Sequence, residues 1–253
     1  MRLLQRCVQI LLPLQRTVFS TESLCGLCQG SARPRLSSNS LLRASVAGMA
    51  SLPQQRYQYF LVLDFEATCD TTPIQPQEII EFPILKLNGQ TMEIESIFHT
   101  YVQPVYNPQL TPFCTQLTGI IQSMVEGQPT LQQALQMVAE WMDKENLLNP
   151  DVSSVFVTCG DWDLKTMLPG QCQHLGLQAP DYFKQWINLK KAYSFAMGSW
   201  PKSGLPAMQE GLSLKQEGRL HSGIDDCRNI ANIMKEMARR GFVFKQTSPR
   251  IET

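Results

Sequence analysis

Two carboxylates, Asp64 and Glu66, stand two residues apart in the apolar run Tyr59 to Thr68, YFLVLDFEAT. On a strand that spacing points both side chains to one face of the sheet. Paired anions on a core strand lose hydration and repel each other, and both effects raise their pKa unless a cation or a polar network compensates. A hard divalent ion of the Mg²⁺ type, which takes carboxylate oxygens, is one such cation. The other reading ends the strand near Leu63 and leaves both acids solvated at its mouth.

Asp225 and Asp226 open a periodic segment that predicts a helix from Asp225 to Arg240, stopped by Gly241. Adjacent helical positions face about 100° apart. From Asp226 the helical spacing reaches Ile230, Ile233 and Met237, and from Asp225 it reaches Asn229, Asn232 and Glu236. Asp226 therefore heads the apolar stripe that packs on the sheet, and Asp225 heads the polar one, where a capping role suits it. His221 lies five residues before Asp226 in the loop HSGIDD, as a surface residue or as a group delivered to the acids. Asp161, Trp162 and Asp163 follow the strand-like run Val152 to Cys159, at the end of a strand, where α/β sheets commonly hold ligands. Asp163 shares a helical face with Met167 and Asp161 with Lys165, which mildly favours Asp163 as the inward acid. Pro169 is expected to cut that helix short. Trp162 is either core or a stacking platform for a base.

The elements that position these residues are legible as a mixed α/β pattern. After the first strand, Glu78 to Leu87 and Ile94 to Gln103 read as strands, and Asn88-Gly89 between them predicts an antiparallel hairpin. Thr130 to Asn146 has a helical period with Thr130 as N-cap, Val152 to Cys159 is a fourth strand, and Phe242 to Lys245 is a candidate closing strand. The order implies a sheet that begins antiparallel and turns parallel after a helical crossover.

The 253 residues, 43% hydrophobic and 17% charged, are too apolar for a disordered chain. The longest nearly apolar stretch, Val8 to Leu14, is far below the roughly 20 residues of a bilayer span, so no membrane partner is expected. Eight cysteines are too few for a disulfide scaffold, and Cys69, Cys114, Cys159, Cys172 and Cys227 read as scattered reduced thiols of an intracellular protein. The three histidines, His99, His174 and His221, are too far apart in sequence for a paired-histidine zinc site. The zero net charge divides unevenly: residues 1–50 carry six arginines against Glu22, a net of +5, which leaves −5 on the remainder. An arginine- and serine-rich, acid-poor N-terminus is the composition of a mitochondrial transit peptide. A dispensable extension with Met49 as an alternative start, or a secretory signal, are the other readings. The isolated pair Cys25 and Cys28 is assigned no role.

Taken together, Asp64-Phe65-Glu66-Ala67-Thr68, then Asp163, then His221 with Asp226 five positions on, resemble the DEDDh exonucleases of the RNase H-like superfamily. Four acids and one histidine recur in that order. PQEIIEFPILKLN (Pro76 to Asn88), LTPFCTQLTGI (Leu110 to Ile120) and QWINLKKAYS (Gln185 to Ser194) are similar to the Eri-type three-prime exoribonucleases. The resemblance spans about 55–248 and none of residues 1–50. It implies an α/β, RNase H-like exonuclease fold with a mixed five- to six-stranded sheet flanked by helices.

For function, the resemblance implies two-metal hydrolysis at the 3′ end of single-stranded RNA, releasing a nucleoside 5′-monophosphate. Asp64, Glu66, Asp163 and Asp226 would hold two Mg²⁺ or Mn²⁺ ions, Glu66 and His221 would be catalytic, and His221 would take the proton of the attacking water. Glu66 and Ala67 would lie at the sugar and phosphate, His221 near the scissile phosphate, and Phe113 and Trp162 would sandwich the base. Phe113 is otherwise ordinary core, and Asp161 and Asp225 are bystanders. A domain of net −5 is expected to bind RNA modestly unless Lys184, Lys190, Lys191, Lys202 and Arg219 gather near the groove. A catalytically silent RNA-binding module and an exodeoxyribonuclease are the competing classes. The compartment would be mitochondrial if residues 1–50 are a transit peptide, and otherwise cytoplasmic or nuclear.

Overall fold

The structure, a computed structural model, describes residues 51–249. The transit-peptide reading and the Cys25/Cys28 pair lie outside the described residues. The strands follow from buried β-rich runs. β1 (Tyr59–Leu63) and β3 (Ile79–Asn88) are buried along nearly their whole lengths, the pattern of strands covered on both faces. β4 (Ile94–Tyr101) is far more exposed, as an edge strand. β2 (Glu66–Ala67), β5 (Ser154–Thr158) and β6 (Trp186–Asn188) complete a six-stranded sheet. β3 runs antiparallel to β4 on one edge and to β1 and β2 on the other, while β1 pairs β5 and β5 pairs β6 in parallel. The switch from antiparallel to parallel follows the expected order.

Helices cover both faces. On one side α5 (Leu189–Met197), α6 (Leu205–Leu212) and α7 (Gly223–Arg239) bury Met208, Ile230, Ile233 and Met234 against Phe60, Val62 and Leu85. On the other, α3 (Leu131–Lys144) and α4 (Leu168–His174) bury Leu135, Val138 and Leu168 against Leu61, Leu63 and Phe156. The short helices α1 (Pro112–Thr118) and α2 (Gln122–Val125) close a smaller cluster over Ile80.

Several sequence expectations change. The run Tyr59 to Thr68 is interrupted at Asp64 and Phe65 rather than forming one strand. Phe242 to Lys245 is not a strand: the Phe244 N–H donates to Gln55 Oε1 at 3.0 Å, so a side-chain amide replaces a ladder partner. β6 is too short for its alternation to register in sequence. Pro169 does not end its helix, because a π-turn (Asp163–Met167) precedes α4 and the proline occupies the first turn of the new helix, where its missing N–H costs nothing. Asn229, expected on a polar stripe, is fully buried and bonded to Gln209, Glu217 and the Asp225 carbonyl, since α6 covers that side of α7. The five cysteines of the described residues are buried, and none of the described helices is long and apolar enough to cross a membrane.

The β3–β4 hairpin turns at Gly89, where an added Cβ would sit 2.1 Å from the Tyr57 carbonyl oxygen. Gly89→Ala is therefore expected to cost about 1–3 kcal/mol, the usual toll of overpacking, read as a lower urea midpoint with an unchanged slope.

Candidate active site

The interruption of the first strand is where the site begins. Beyond Leu63 the Phe65 N–H turns to a side chain, donating to Asp163 Oδ1 at 3.1 Å. Pairing with β3 resumes at Glu66, opposite Glu81, with an irregularity before Ala67. Such bulges re-aim side chains at the cost of a ladder bond. Asp64 and Glu66 are each 8% exposed, so they are buried and not solvated at a strand mouth. Asp163 is fully buried at the start of the π-turn, whose closing bond runs from the Leu168 N–H to the Asp163 carbonyl. Of the two candidate acids after β5, Asp163 faces inward. Asp161 instead accepts from Trp186 Nε1 at 3.0 Å and pairs with Lys191 at 2.9 Å.

The second half of the site arrives on α7. Its first turn donates to one buried carboxylate, Gly223 N–H to Glu81 Oε2 at 2.9 Å and Ile224 N–H to Oε1 at 3.2 Å. Glu81 also meets His99 Nε2 at 2.8 Å. These bonds satisfy orphan amides that every helix start exposes. Gly223 allows the approach, because a Cβ there would lie 2.7 Å from the Asp64 carbonyl oxygen. The Asp225 expectation is corrected: it sits inside the helix and fastens the preceding loop, accepting from the Arg219 N–H and from Arg228, both at 3.0 Å. The Arg219 guanidinium in turn donates to the Gln116 and Leu117 carbonyls at the end of α1. His221, at a left-handed φ of 63°, donates its N–H to Asp226 Oδ2 at 3.0 Å.

The outcome is a convergence that no single element contains. Ligand atoms of Glu66, His221 and Asp226 all lie within 4.8 Å of one another, a spacing compatible with one metal ion. Burial pushes the Glu66 carboxyl well above the usual carboxylate range, and the charges of Asp64, Asp226, Glu81 and Asp163 push it further. Ala67 shares β2 with Glu66. Phe113 stands half-buried at the start of α1, whose N-cap Thr111 donates to the Cys69 carbonyl at 2.7 Å, and Trp162 stands half-buried beside Asp163. Both aromatics pack against apolar clusters. Lys184 pairs locally with Asp181. Sequence reasoning missed Glu81; its signal was an acid amid the buried run EIIEFPILKL, which needs a partner to be tolerated.

Known proteins resemble this chain in sequence and fold. The family model for an exonuclease, RNase_T, matches residues 61–234. The chain belongs to the exonuclease family. Among relatives within this exonuclease family, human ERI1 exoribonuclease 3 is 76% identical over 205 residues, covering 81% of this chain and 61% of that protein. The chain thus spans under two thirds of that relative. Among solved structures, the nuclease domain of 3′hExo, described as a DEDDh family member bound to rAMP, superposes with a TM-score of 0.73 at 38% identity, covering 77% of this chain and 98% of that one. A 3′-exonuclease described in 3′-end recognition of histone mRNA stem-loop gives 0.72 at 35% identity, covering 79% and 73%. These matches place the chain in the Eri-type DEDDh branch of the exonuclease family.

The raised Glu66 pKa fixes the sign of a pH effect. Below the ordinary carboxylate value Glu66 is protonated in both folded and unfolded chains, and its stabilising share is fully present. As pH rises through the elevated folded value, that share is lost. Without divalent metal, Glu66→Gln is expected to raise the melting temperature at pH 7, by about 2–4 °C per kcal/mol of desolvation and repulsion relieved. The gain should vanish near about pH 4, as followed by thermal melts in EDTA.

Proposed function

We propose that this chain is a 3′-to-5′ exoribonuclease that hydrolyses the 3′-terminal phosphodiester of single-stranded RNA and releases a nucleoside 5′-monophosphate. The observation that carries this reading is the meeting of Glu66, His221 and Asp226 within 4.8 Å, in a cluster with buried Asp64 and Asp163. A hydrolase with no buried cation would have little reason to gather these acids. Their donor set fits hard divalent ions. Asp64, Glu66, Asp163 and Asp226 would hold two Mg²⁺ or Mn²⁺ ions, whereas Glu81 is engaged by α7 and His99. When bound, such ions neutralise phosphate charge and make water a better nucleophile.

The chain's own residues do the rest. His221 accepts the proton of the attacking water, a task suited to imidazole, whose ordinary pKa is about 6.5. Asp226 steadies that loop by accepting the His221 N–H. Glu66, with the backbone of Ala67, orients the terminal sugar and phosphate. Phe113 and Trp162, each half-buried, would sandwich the base, an arrangement that takes an unpaired nucleotide. RNA as the substrate is supported by the likeness to 3′hExo, whose nuclease domain is described with rAMP bound.

The test is incubation of the purified chain with 5′-labelled single-stranded RNA in Mg²⁺ or EDTA, beside His221→Ala. Stepwise 3′ shortening is expected only with metal, with the variant slower by about 10²–10⁴-fold. Equal shortening of matching DNA would reassign the chain as an exodeoxyribonuclease, and RNA bound but uncut would make it a binding module.

A further inference from the structure

The domain carries net −5, yet the segment between Asp181 and Glu210 holds four lysines and no acid. Within it, Phe195 is 82% exposed and Trp200 is 53% exposed. Among the described residues the exposed large aromatics are Tyr106, Phe195 and Trp200, and the last two fall on this lysine-bearing, acid-free segment, a composition suited to contact with an anionic chain. Phe195 lies on α5, four positions after Lys191, so the two share a helix face about 6 Å apart along the axis. That separation is on the scale of one nucleotide step.

The strip also begins at the edge of the candidate site. Lys191 pairs with Asp161 at 2.9 Å, and Asp161 adjoins Trp162 and Asp163 in the chain. Trp200 and Lys202 lie on the α5–α6 connection. Lys190 reaches the end of this connection, with its Cε 3.5 Å from where a Cβ on Gly204 would stand. Lysine and exposed aromatic rings thus occur together on one continuous segment leading away from the acids.

We infer that Phe195 and Trp200, with Lys190, Lys191 and Lys202, form a stacking platform for the part of a single-stranded RNA that lies 5′ of the nucleotide in the site. The inference rests on the RNA reading above and extends it to how longer substrates are held. Aromatic rings stack on any base, and lysines meet the phosphates between them, so the platform is sequence-tolerant. It supplies the basic contact that the acidic site cannot.

The test uses the full chain in EDTA, where binding is measured without cleavage, with fluorescein-labelled RNAs of three and of about 12 nucleotides followed by anisotropy. Phe195→Ala and Trp200→Ala are each expected to raise Kd for the longer RNA by about tenfold and to leave the trimer unchanged. Both residues are exposed, so unaltered melting temperatures should accompany the effect. Unchanged affinity for the longer RNA would overturn the platform and assign the patch to a protein partner. Equal weakening of both lengths would overturn it too, since the rings would then act at the terminal nucleotide. Shortening of RNA by the wild-type chain in Mg²⁺, run in parallel, tests the hydrolase reading separately. If shortening fails while aromatic-dependent binding persists, the platform stands and the hydrolase does not.

Discussion

Glu81 sits almost wholly out of solvent, accepting the first main-chain N–H groups of α7 while meeting His99 on the adjacent edge strand. Through these bonds the start of α7 is pinned across β3, directly over the gap in the first strand. Everything brought by that helix inherits its placement: Asp226 one turn on, the His221 loop folded back onto Asp226, and Gly223 pressed against the Asp64 carbonyl. A buried carboxylate is tolerated when its oxygens are filled by donors, and a helix start is a ready source of them. The same interaction satisfies the acid and aligns the site.

Around that pin the protein concentrates like charge. Asp64, Glu66, Glu81, Asp163 and Asp226 are all buried, and Glu66 records the consequence in a pKa well above the carboxylate range. The unfavourable electrostatics are supported by the rest of the domain: two apolar layers sandwich the sheet, and they outweigh the local cost without relaxing it. Two irregular features hold the acids in register, the break between β1 and β2 and the π-turn that starts at Asp163. Irregularities of this kind cluster where a side chain must be aimed.

Charge is also distributed along the chain with a direction. The acids converge at the carboxyl ends of the central strands, while the lysine-bearing, acid-free segment runs through α5 and its following loop. An anionic polymer met only by the carboxylate cluster would be repelled. In the proposed exoribonuclease, the neighbouring strip of lysine and exposed aromatic rings would hold the polymer while the carboxylate cluster acts on its end.

Local pattern alone determined much of this protein. The strands, the Asn88-Gly89 hairpin and the helical face of Asp226 are short-range consequences of period and turn chemistry, while the order of Asp64, Glu66, Asp163, His221 and Asp226 carried a family resemblance that residue spacing alone left open at Asp163 and His221. What tertiary structure alone decided was contact between distant segments. Whether Asp64 and Glu66 were solvated or buried depended on the helices that cover the sheet. Glu81 looked like one acid in an apolar run until α7 supplied its donors from 142 positions away. Asn229 read as a surface amide until α6 packed over it, and Pro169 read as a helix stop until the π-turn absorbed it. Period and spacing report on a residue's own element; a buried charge is decided by partners from other elements, and sequence order carries no distance between them.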